Sequence, residues 1–530
     1  MSLARLVALI SIVRGWRGAF LTASLGAIAA AAMPPVHLLP ALFAFAILAW
    51  RLERAETWGR AALSGWLFGF GYHVAGLYWI SNAMLVESER FAWAVPFAAV
   101  GLPMLLACYP ALVIAAMSRL FRPGWSSGFA LAAAWSIAEY ARGHLLTGFP
   151  WNLTAYALAF SDPLMQAGSV FGAQGLSLII LLAAVAPAIA IGPGRHPAWG
   201  GLSVATFCCV IPAALWFYGN WRLSSAEIGF DRSTVVRIVQ ASIPQSDKWK
   251  RQHQARHLAS YMKLSRQAVA THQADNLLAS SRPTVVIWPE TAVPAFLNIN
   301  HRLRRSVARA APQAGALITG TLSLGESEQR HVHNSLLVLD RTGSIQGRYD
   351  KSHLVPFGEY LPLPDWIFLP KIVGGFTDFS AGPGRTTMEV AGLGQVSPLI
   401  CYEVIFPGRV VTDGGRPAAL LNLTNDAWYG HSSGPYQHLA TARMRAIEEG
   451  LPLIRAANTG VSGVYDAYGR TVVQIELDEI GIADSMLPNP LKQQTIFSQL
   501  KDWPFFVLIF CIFVMARSLG KCNRLRNSGF

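Results

Sequence analysis

"SPLICYEVIFPG" (residues 397–408) runs an apolar segment into a lone cysteine, Cys401, followed at once by Tyr402 and Glu403. The apolar approach predicts a β-strand over 396–403. A cysteine in that position reads two ways, as a small hydrophobe packed in a sheet or as a thiol kept for chemistry. These twelve residues leave both readings open, and the surrounding chain has to separate them.

Similar short runs rich in Val, Ile and Leu lie on both sides. They are "VVRIVQASI" (235–243), "TVVIWPE" (284–290), "GALITGTLSL" (315–324), "NSLLVLD" (334–340), "ALLNLTN" (419–425) and "PLIRAAN" (452–458). Residues 247–279 and 435–450 read as helices. Strands interspersed with helices predict a layered α/β domain over 220–500. No internal repeat of 20–50 residues is visible.

Outside that region the solvent changes. The chain has 530 residues, 52% hydrophobic and only 14% charged, against about 25% charged in soluble domains. A membrane-spanning helix needs about 20 mostly apolar residues. Seven stretches before residue 220 approach that pattern, near 18–34, 36–50, 61–82, 92–118, 127–141, 164–192 and 199–218, and an eighth lies at 503–519. The expected layout is a seven-helix transmembrane domain over 1–219, the α/β domain over 220–500, and a last helix with a basic tail over 501–530. "AIAAAAMPP" at the end of the first stretch imitates a signal-peptide cleavage site. The nearby Arg14 and Arg17, with six more apolar segments beyond, favour an uncleaved span.

Cytoplasmic loops carry the excess of Lys and Arg. With Arg5, Arg14 and Arg17 inside, alternate loops hold Arg51, Arg54 and Arg60, then Arg119 and Arg122, then Arg195, and the tail holds Arg517, Lys521, Arg524 and Arg526. Opposite loops hold little beyond Arg90, beside Glu87 and Glu89, and Arg142. Both termini are therefore expected in the cytoplasm and residues 220–500 outside. The net charge of +13 is largely a topology signal, and nucleic acid is not needed to explain it.

Of six cysteines, Cys108, Cys208, Cys209 and Cys511 sit in apolar runs and Cys522 in the basic tail. There is no CxxC pair and no metal-ligand spacing. Cys401 stands alone in the outer domain, without a partner for a disulfide there. Two further stretches bear on it. "VVIWPET" ends a strand with Glu290, and "GRYDKSHLVPFGEYLP" holds Lys351 and Glu359 eight residues apart. Each alone is weak, since a Glu at a strand end or a Lys in a loop is usually just solvated.

Together, "WPE", "YDKSHLVPFGEY" and "ICYE" resemble the three signature segments of the nitrilase (carbon–nitrogen hydrolase) superfamily, which implies an αββα fold and a Glu-Lys-Cys triad. With the apolar segments, the chain resembles the membrane-embedded branch, the apolipoprotein N-acyltransferase family. "GFGYHVAGLYWI" (69–80), "TGFPWNLTAYA" (147–157), "IPQSDKW" (243–249) and "NDAWYG" (425–430) strengthen the match. The resemblance implies Cys401 as nucleophile, Glu290 as general base and Lys351 as the cation for thiolate and oxyanion. The backbone N–H of Tyr402 would be a second oxyanion donor, Glu359 would orient Lys351 or Glu290, and Glu403 would anchor the loop after the nucleophile. Trp249, Asn334 and Trp428 become substrate-pocket candidates.

The implied reaction moves an acyl chain from a glycerophospholipid, through a Cys401 thioester, to the α-amino group of a diacylglyceryl-cysteine on an apolipoprotein. Neither a cofactor nor a metal is expected, the lipid bilayer is a partner, and nothing requires more than a monomer. Moving apolar chain out of a bilayer costs about 0.8 kcal/mol per CH₂, so extracting a sixteen-carbon chain costs on the order of 10 kcal/mol. A site at the bilayer surface avoids this. The apolar arm "PLPDWIFLPKIVGGFTDF" (362–379), with Trp366, Phe368, Phe376 and Phe379, suits such an interface.

Two competing readings remain in view: a membrane-tethered nitrilase-type amidohydrolase, and a polytopic transporter or scaffold whose outer domain only binds lipid. Asn152 and Asn422 match the glycosylation sequon by three residues only. His431 and His438 lack an HExxH pattern, and "GGFTDFSAGPGR" lacks the phosphate-loop form. His73 and Glu139, in apolar segments, receive no catalytic role.

Overall fold

The computed structural model describes residues 13–121, 125–190, 206–268, 283–325, 331–361, 379–412 and 414–527. The chain divides into two compact units. One lies within Met1–Ser81, Trp93–Ala226 and Thr495–Phe530, and the other within Asn82–Ala92 and Glu227–Gln494.

The first unit is helical. Every apolar stretch read from the sequence contains a helix, among them Gly15–Ala30, Ala44–Leu52, Trp58–Leu77, Trp125–His144, Gly168–Ala190, Ile211–Ser224 and Trp503–Asn527. Among the described residues, two helices are long and apolar enough to cross a membrane, Ser88–Ala116 and Gly168–Ala188, with shorter apolar helices at Leu39–Leu52 and Trp503–Met515. The expectation of eight full spans is thus met only in part. Gly15–Ala30 has 16 residues and stops short of Pro34 and Pro35, where proline lacks the N–H a helix needs. Trp125–His144 carries Glu139 and Arg142. Both have partners within the unit: Glu139 Oε1 accepts from Trp135 Nε1 and from the Thr154 amide and hydroxyl, and Arg142 donates to the Phe149 and Trp151 carbonyls. His73 Nδ1 bonds to the Gly69 carbonyl. Part of the span of 199–218 lies outside the described residues.

Helices Gly15–Ala30 and Trp58–Leu77 approach closely because glycine faces backbone from both sides. A Cβ on Gly26 would stand 1.9 Å from the Phe68 carbonyl oxygen, and one on Gly71 would stand 1.8 Å from that of Ala23. Small residues let apolar helices pack backbone to backbone.

Among the described residues the second unit has thirteen strands in two sheets: β1 Phe230–Gln240, β2 Val285–Ile287, β3 Val293–Phe296, β4 Ala316–Leu324, β5 Val332–Leu339, β6 Ile345–Asp350, β7 Met388–Val390, β8 Gly394–Ile400, β9 Ala419–Thr424, β10 Leu453–Ala457, β11 Ser462–Tyr465, β12 Thr471–Ile475 and β13 Gly481–Pro488. One sheet runs β13-β1-β2-β4-β5-β6 with β3 beside β4, and the other β12-β11-β10-β9-β8-β7. At the centre of the first, β1, β2 and β4 are parallel; in the second, β8, β9 and β10 are parallel.

Alternation along the strands builds two cores. Val236, Ile238, Val285, Ile287, Ile318 and Leu336 of the first sheet pack with Val396, Ile400, Leu421, Leu423 and Ile454 of the second. The intervening residues Val239, Val286, Leu317 and Leu337 pack under Tyr261 and Leu264 of helix Arg251–Ser265 and Val307 of helix His301–Ala308. Helix Gly434–Glu449 covers the second sheet, burying Ala440, Met444 and Ile447. The order is helix, sheet, sheet, helix.

Three local expectations change. The strand expected over 396–403 ends at Ile400, and Cys401–Ile405 forms a 3-10 turn. The helix expected over 247–279 is Gln245–Lys248 and then Arg251–Ser265, with 269–282 outside the described residues. Strands β3, β6, β7 and β11–β13 were not expected. Several are short, and β6 ("IQGRYD") is a polar edge strand with exposed positions, so neither burial nor apolar pattern announces it.

Substituting Gly71→Val should lower the thermal unfolding temperature of the detergent-solubilised protein, since forcing bulk into a tight contact costs about 1–3 kcal/mol. Val at the exposed Gly59 should leave it unchanged.

Candidate active site

Four turns leaving carboxyl ends of strands bring the polar residues together, where open α/β sheets place their sites. After β2, Trp288 fixes the first turn. Its amide donates to the Ile318 carbonyl at 2.9 Å, its indole N–H to Ser265 Oγ at 2.9 Å, and its ring stacks on Tyr261. Glu290 follows, only 7% exposed, and Thr291 takes φ +48°. The chain can pass here because Gly320 has no side chain: a Cβ would meet the Thr291 nitrogen at 2.3 Å and Glu290 Cα at 2.6 Å.

Lys351 comes directly after β6, its amide bonded to the Asn334 carbonyl at 2.9 Å. Its ammonium is 1% exposed and lies 2.9 Å from Glu359 and 4.0 Å from Glu290 Oε1. Glu359 Oε2 accepts from the Val355 amide at 2.8 Å. Asn334 Nδ2 donates to Glu290 Oε1 at 2.7 Å and to Glu359 Oε1 at 3.1 Å. Asn334, expected to line a substrate pocket, thus joins the two carboxylates. Burial alone would lower the proton affinity of Lys351, but Glu359, Glu290 and Cys401 overcome it and hold the ammonium above an ordinary lysine.

Cys401 begins the turn after β8 at φ +51° and is 7% exposed. A non-glycine residue there stores about 1–3 kcal/mol of strain and needs surrounding structure to hold it. Glu403 supplies that. Oε2 accepts from the Ile400 amide at 2.7 Å, and Oε1 from Tyr349 Oη, the Ser352 amide and hydroxyl, and the His353 amide at 2.8–3.0 Å. Hydrogen bonds to a charged group are worth about 1.5–3 kcal/mol each, enough to outweigh the strain. Tyr402 packs its ring against His353 and Phe406.

Behind the thiol, Thr424 and Tyr429 form hydrogen bonds with the Cys401 side chain. Asp426 accepts from Thr424 Oγ1 and pairs with His438 Nδ1, both at 2.9 Å, and accepts from Arg455 Nη2 at 2.6 Å. Burial opposes the Asp426 charge, but Arg455 and His438 prevail and hold it down to about 2. The sequence reading missed Asp426, Tyr429 and Arg455, although "NDAWYG" had been noticed. It also missed Lys248, whose motif "IPQSDKW" was noticed without a role for the lysine. Trp249 and Trp428 are half-buried beside these segments. Trp366, Phe368 and Phe376 lie outside the described residues.

The electrostatics define the resting state. Burial pushes the Cys401 thiol up to about 12, with Glu290 and Asp426 adding to the rise and Lys351 and Thr424 opposing it. Burial likewise raises Glu290 above the ordinary carboxylate range, against Lys351. At neutral pH the sulfur is protonated, and the Glu290 carboxyl that acts on it has a raised proton affinity. Such a pair can release a thiolate as the proton moves to Glu290, with Lys351 ready for the negative charge. Among the described residues, no group of three or more His, Cys, Asp or Glu side chains is arranged to hold a metal ion.

The layered sheets form a carbon–nitrogen hydrolase domain, since the Carbon-nitrogen hydrolase family matches residues 235–490. The Apolipoprotein N-acyltransferase N-terminal domain matches residues 25–186. Similar proteins named apolipoprotein N-acyltransferase occur in Rhodopseudomonas palustris, 38% identical over 97% of both chains, and in Brucella melitensis, 36% identical over 98% of both. The chain belongs to the apolipoprotein N-acyltransferase family. Among solved structures, a CN-hydrolase superfamily protein of Xanthomonas campestris is 21% identical, covers 48% of this chain and 90% of its own, and has a TM-score of 0.34.

Gly320→Ala should reduce acylation of Cys401 at least tenfold while leaving the protein folded, because the new methyl meets backbone at Glu290; acyl-adduct formation and thermal unfolding measured together check this. The pH profile is a second test. A carboxylate with a raised pKa loses its base form as pH falls through that value, so the acid limb of acyl-enzyme formation should lie above the 4.5 of an ordinary glutamate. A stopped-time pH series of adduct mass checks it.

Proposed function

We propose that the protein moves a fatty acyl chain from a glycerophospholipid to the α-amino group of the S-diacylglyceryl-cysteine of an apolipoprotein, through a thioester on Cys401. The observation that carries this reading is the convergence of Glu290 and Lys351 on Cys401 in a chain related to apolipoprotein N-acyltransferases along nearly its whole length.

In the first half-reaction the Cys401 S–H proton passes to Glu290 as sulfur attacks the ester carbonyl. Lys351 stabilises the oxyanion, with the Tyr402 backbone N–H as second donor. The carbon–oxygen bond breaks, and Glu290 returns the proton to the leaving lysophospholipid. In the second half, the neutral amine of the acceptor attacks the thioester carbonyl and gives a proton to Glu290. The carbon–sulfur bond breaks, an amide forms, and the proton returns to sulfur. Glu359 and Asn334 orient Lys351 and Glu290, and Glu403 holds the nucleophile turn. Trp249 and Trp428, with Trp366 and Phe368 of the arm, contact substrate. A buried site suits this chemistry, because water would hydrolyse the thioester and lose the acyl group.

The chain acts in the bacterial inner membrane as a monomer. Two long apolar helices support a membrane location, as do outward-facing Phe97, Leu105, Leu112 and Phe510. Eight crossings, cytoplasmic termini and a catalytic domain on the outer face account for the placing of Lys and Arg in the loops.

Intact-protein mass after incubation with phospholipid and no acceptor tests the proposal. The expected result is one added acyl mass, removed by hydroxylamine and absent from Cys401→Ala. No adduct on intact protein in mixed lipid micelles, together with turnover of small amides, would replace the acyltransferase reading with an amidohydrolase.

A further inference from the structure

Lys248 is 3% exposed and has no part in the reaction drawn above. It closes the short helix Gln245–Lys248 after β1. Its Nζ donates to the main-chain carbonyl of Glu290 at 3.0 Å, in the turn where Thr291 takes a positive φ. The helix is held in turn by the second sheet, because Gln245 Oε1 accepts from Asn425 Nδ2 at 2.7 Å. Lys248 thus reaches the Glu290 main chain from a helix that Gln245 ties to Asn425.

A buried ammonium is costly unless charges nearby balance it. Lys248 interacts with the Glu290 carboxylate and with Cys401. On the other side His257 of helix Arg251–Ser265 feels the lysine as a repulsive charge. Asp247, the adjacent acid, is paired with Lys250 at 2.8 Å and lies near His253 and Arg256. Burial draws Lys248 down to about 8, against the pull of Glu290 and Cys401.

Two carboxyl groups, Glu290 and Glu359, face Lys351 in this buried site, and Lys248 supplies a second cation that interacts with Glu290 and Cys401. Glu403 is met by hydrogen bonds and Asp426 by Arg455. Moving the proton from Cys401 to Glu290 shifts negative charge to sulfur while both lysines stay in place. We propose that Lys248 is a positioning residue for the Glu290–Cys401 proton-transfer pair, fixing the Glu290 main chain and serving as the second cation that keeps first the carboxylate and then the sulfur ionised. The inference rests on the reading of Cys401 as nucleophile and Glu290 as base.

The test follows alkylation of Cys401 by iodoacetamide against pH, on the full-length protein in detergent, by peptide mass spectrometry and without lipid. Lys248→Met should slow Cys401 alkylation about tenfold at neutral pH and move the acid limb up by about one unit, with much of the rate regained at higher pH. Lys248→Arg, which keeps a cation and a donor, should stay near the parent. A Lys248→Met profile that superimposes on the parent overturns the inference. Equal losses in both variants at every pH, with an unchanged unfolding temperature, overturn it too, in favour of a packing role. Glu290→Gln separates the underlying reading: an unchanged profile there removes the base itself, and this inference with it, whereas failure at Lys248 alone leaves the base in place.

Discussion

A lysine ammonium sealed between two carboxylates organises this site. Lys351 is buried against Glu359 and within 4.0 Å of Glu290, and Asn334 ties the two acids to each other. Removing one partner from a buried pair costs about 3–5 kcal/mol, because the other is left charged without compensation. The arrangement therefore holds three chain segments in one geometry: the turn after β2, the end of β6, and the loop through Glu359. The strand ends are placed by their sheets, and the ion pairs set where the side chains stop.

The proposed nucleophile sits opposite on strained backbone, and the strain has a visible counterweight. Glu403 is acceptor-only when ionised and takes hydrogen bonds from both sides of the turn, through Ile400 and through the segment just after Lys351. The same carboxylate that fixes Cys401 thus fixes the lysine's neighbours. Below them the Asp426, Arg455 and His438 cluster is fully buried and internally paired, joining the turn after β9 to β10. A thiol pushed up to about 12 by burial is a poor target for oxidants, since the thiolate is the reactive form. Reactivity then depends on Glu290 taking the proton at the moment of attack.

The helical unit follows a different physics. Its helices present apolar side chains outward at Phe97, Leu105 and Leu112 and meet through glycine at Gly26 and Gly71. Its buried Glu139 and Arg142 meet main-chain and side-chain partners within the unit, Glu139 through Oε1.

Much of the sheet core was legible in the sequence, because Val235 to Gln240, Leu317 to Ser323 and Leu420 to Thr424 are buried strand segments whose apolar runs state their own burial. The segments around Glu290, Lys351 and Cys401 stood out only as an ordered set resembling the nitrilase signature segments, since each alone is an ordinary strand end or loop. What the sequence could not decide is any distance across the chain. Asn334, a substrate-pocket candidate in the sequence, also places its side-chain amide between two carboxylates. Lys248, to which the sequence assigns no role, is buried with its ammonium on the Glu290 carbonyl. Cys401 looked like the continuation of a strand, although Glu403 turns the backbone there. Periodicity reports which face of an element avoids water, and so it determined the layers and the apolar helices. Pairing of Lys351 with Glu290, or of Arg455 with Asp426, joins residues tens of positions apart, and only the folded chain decides which of them meet.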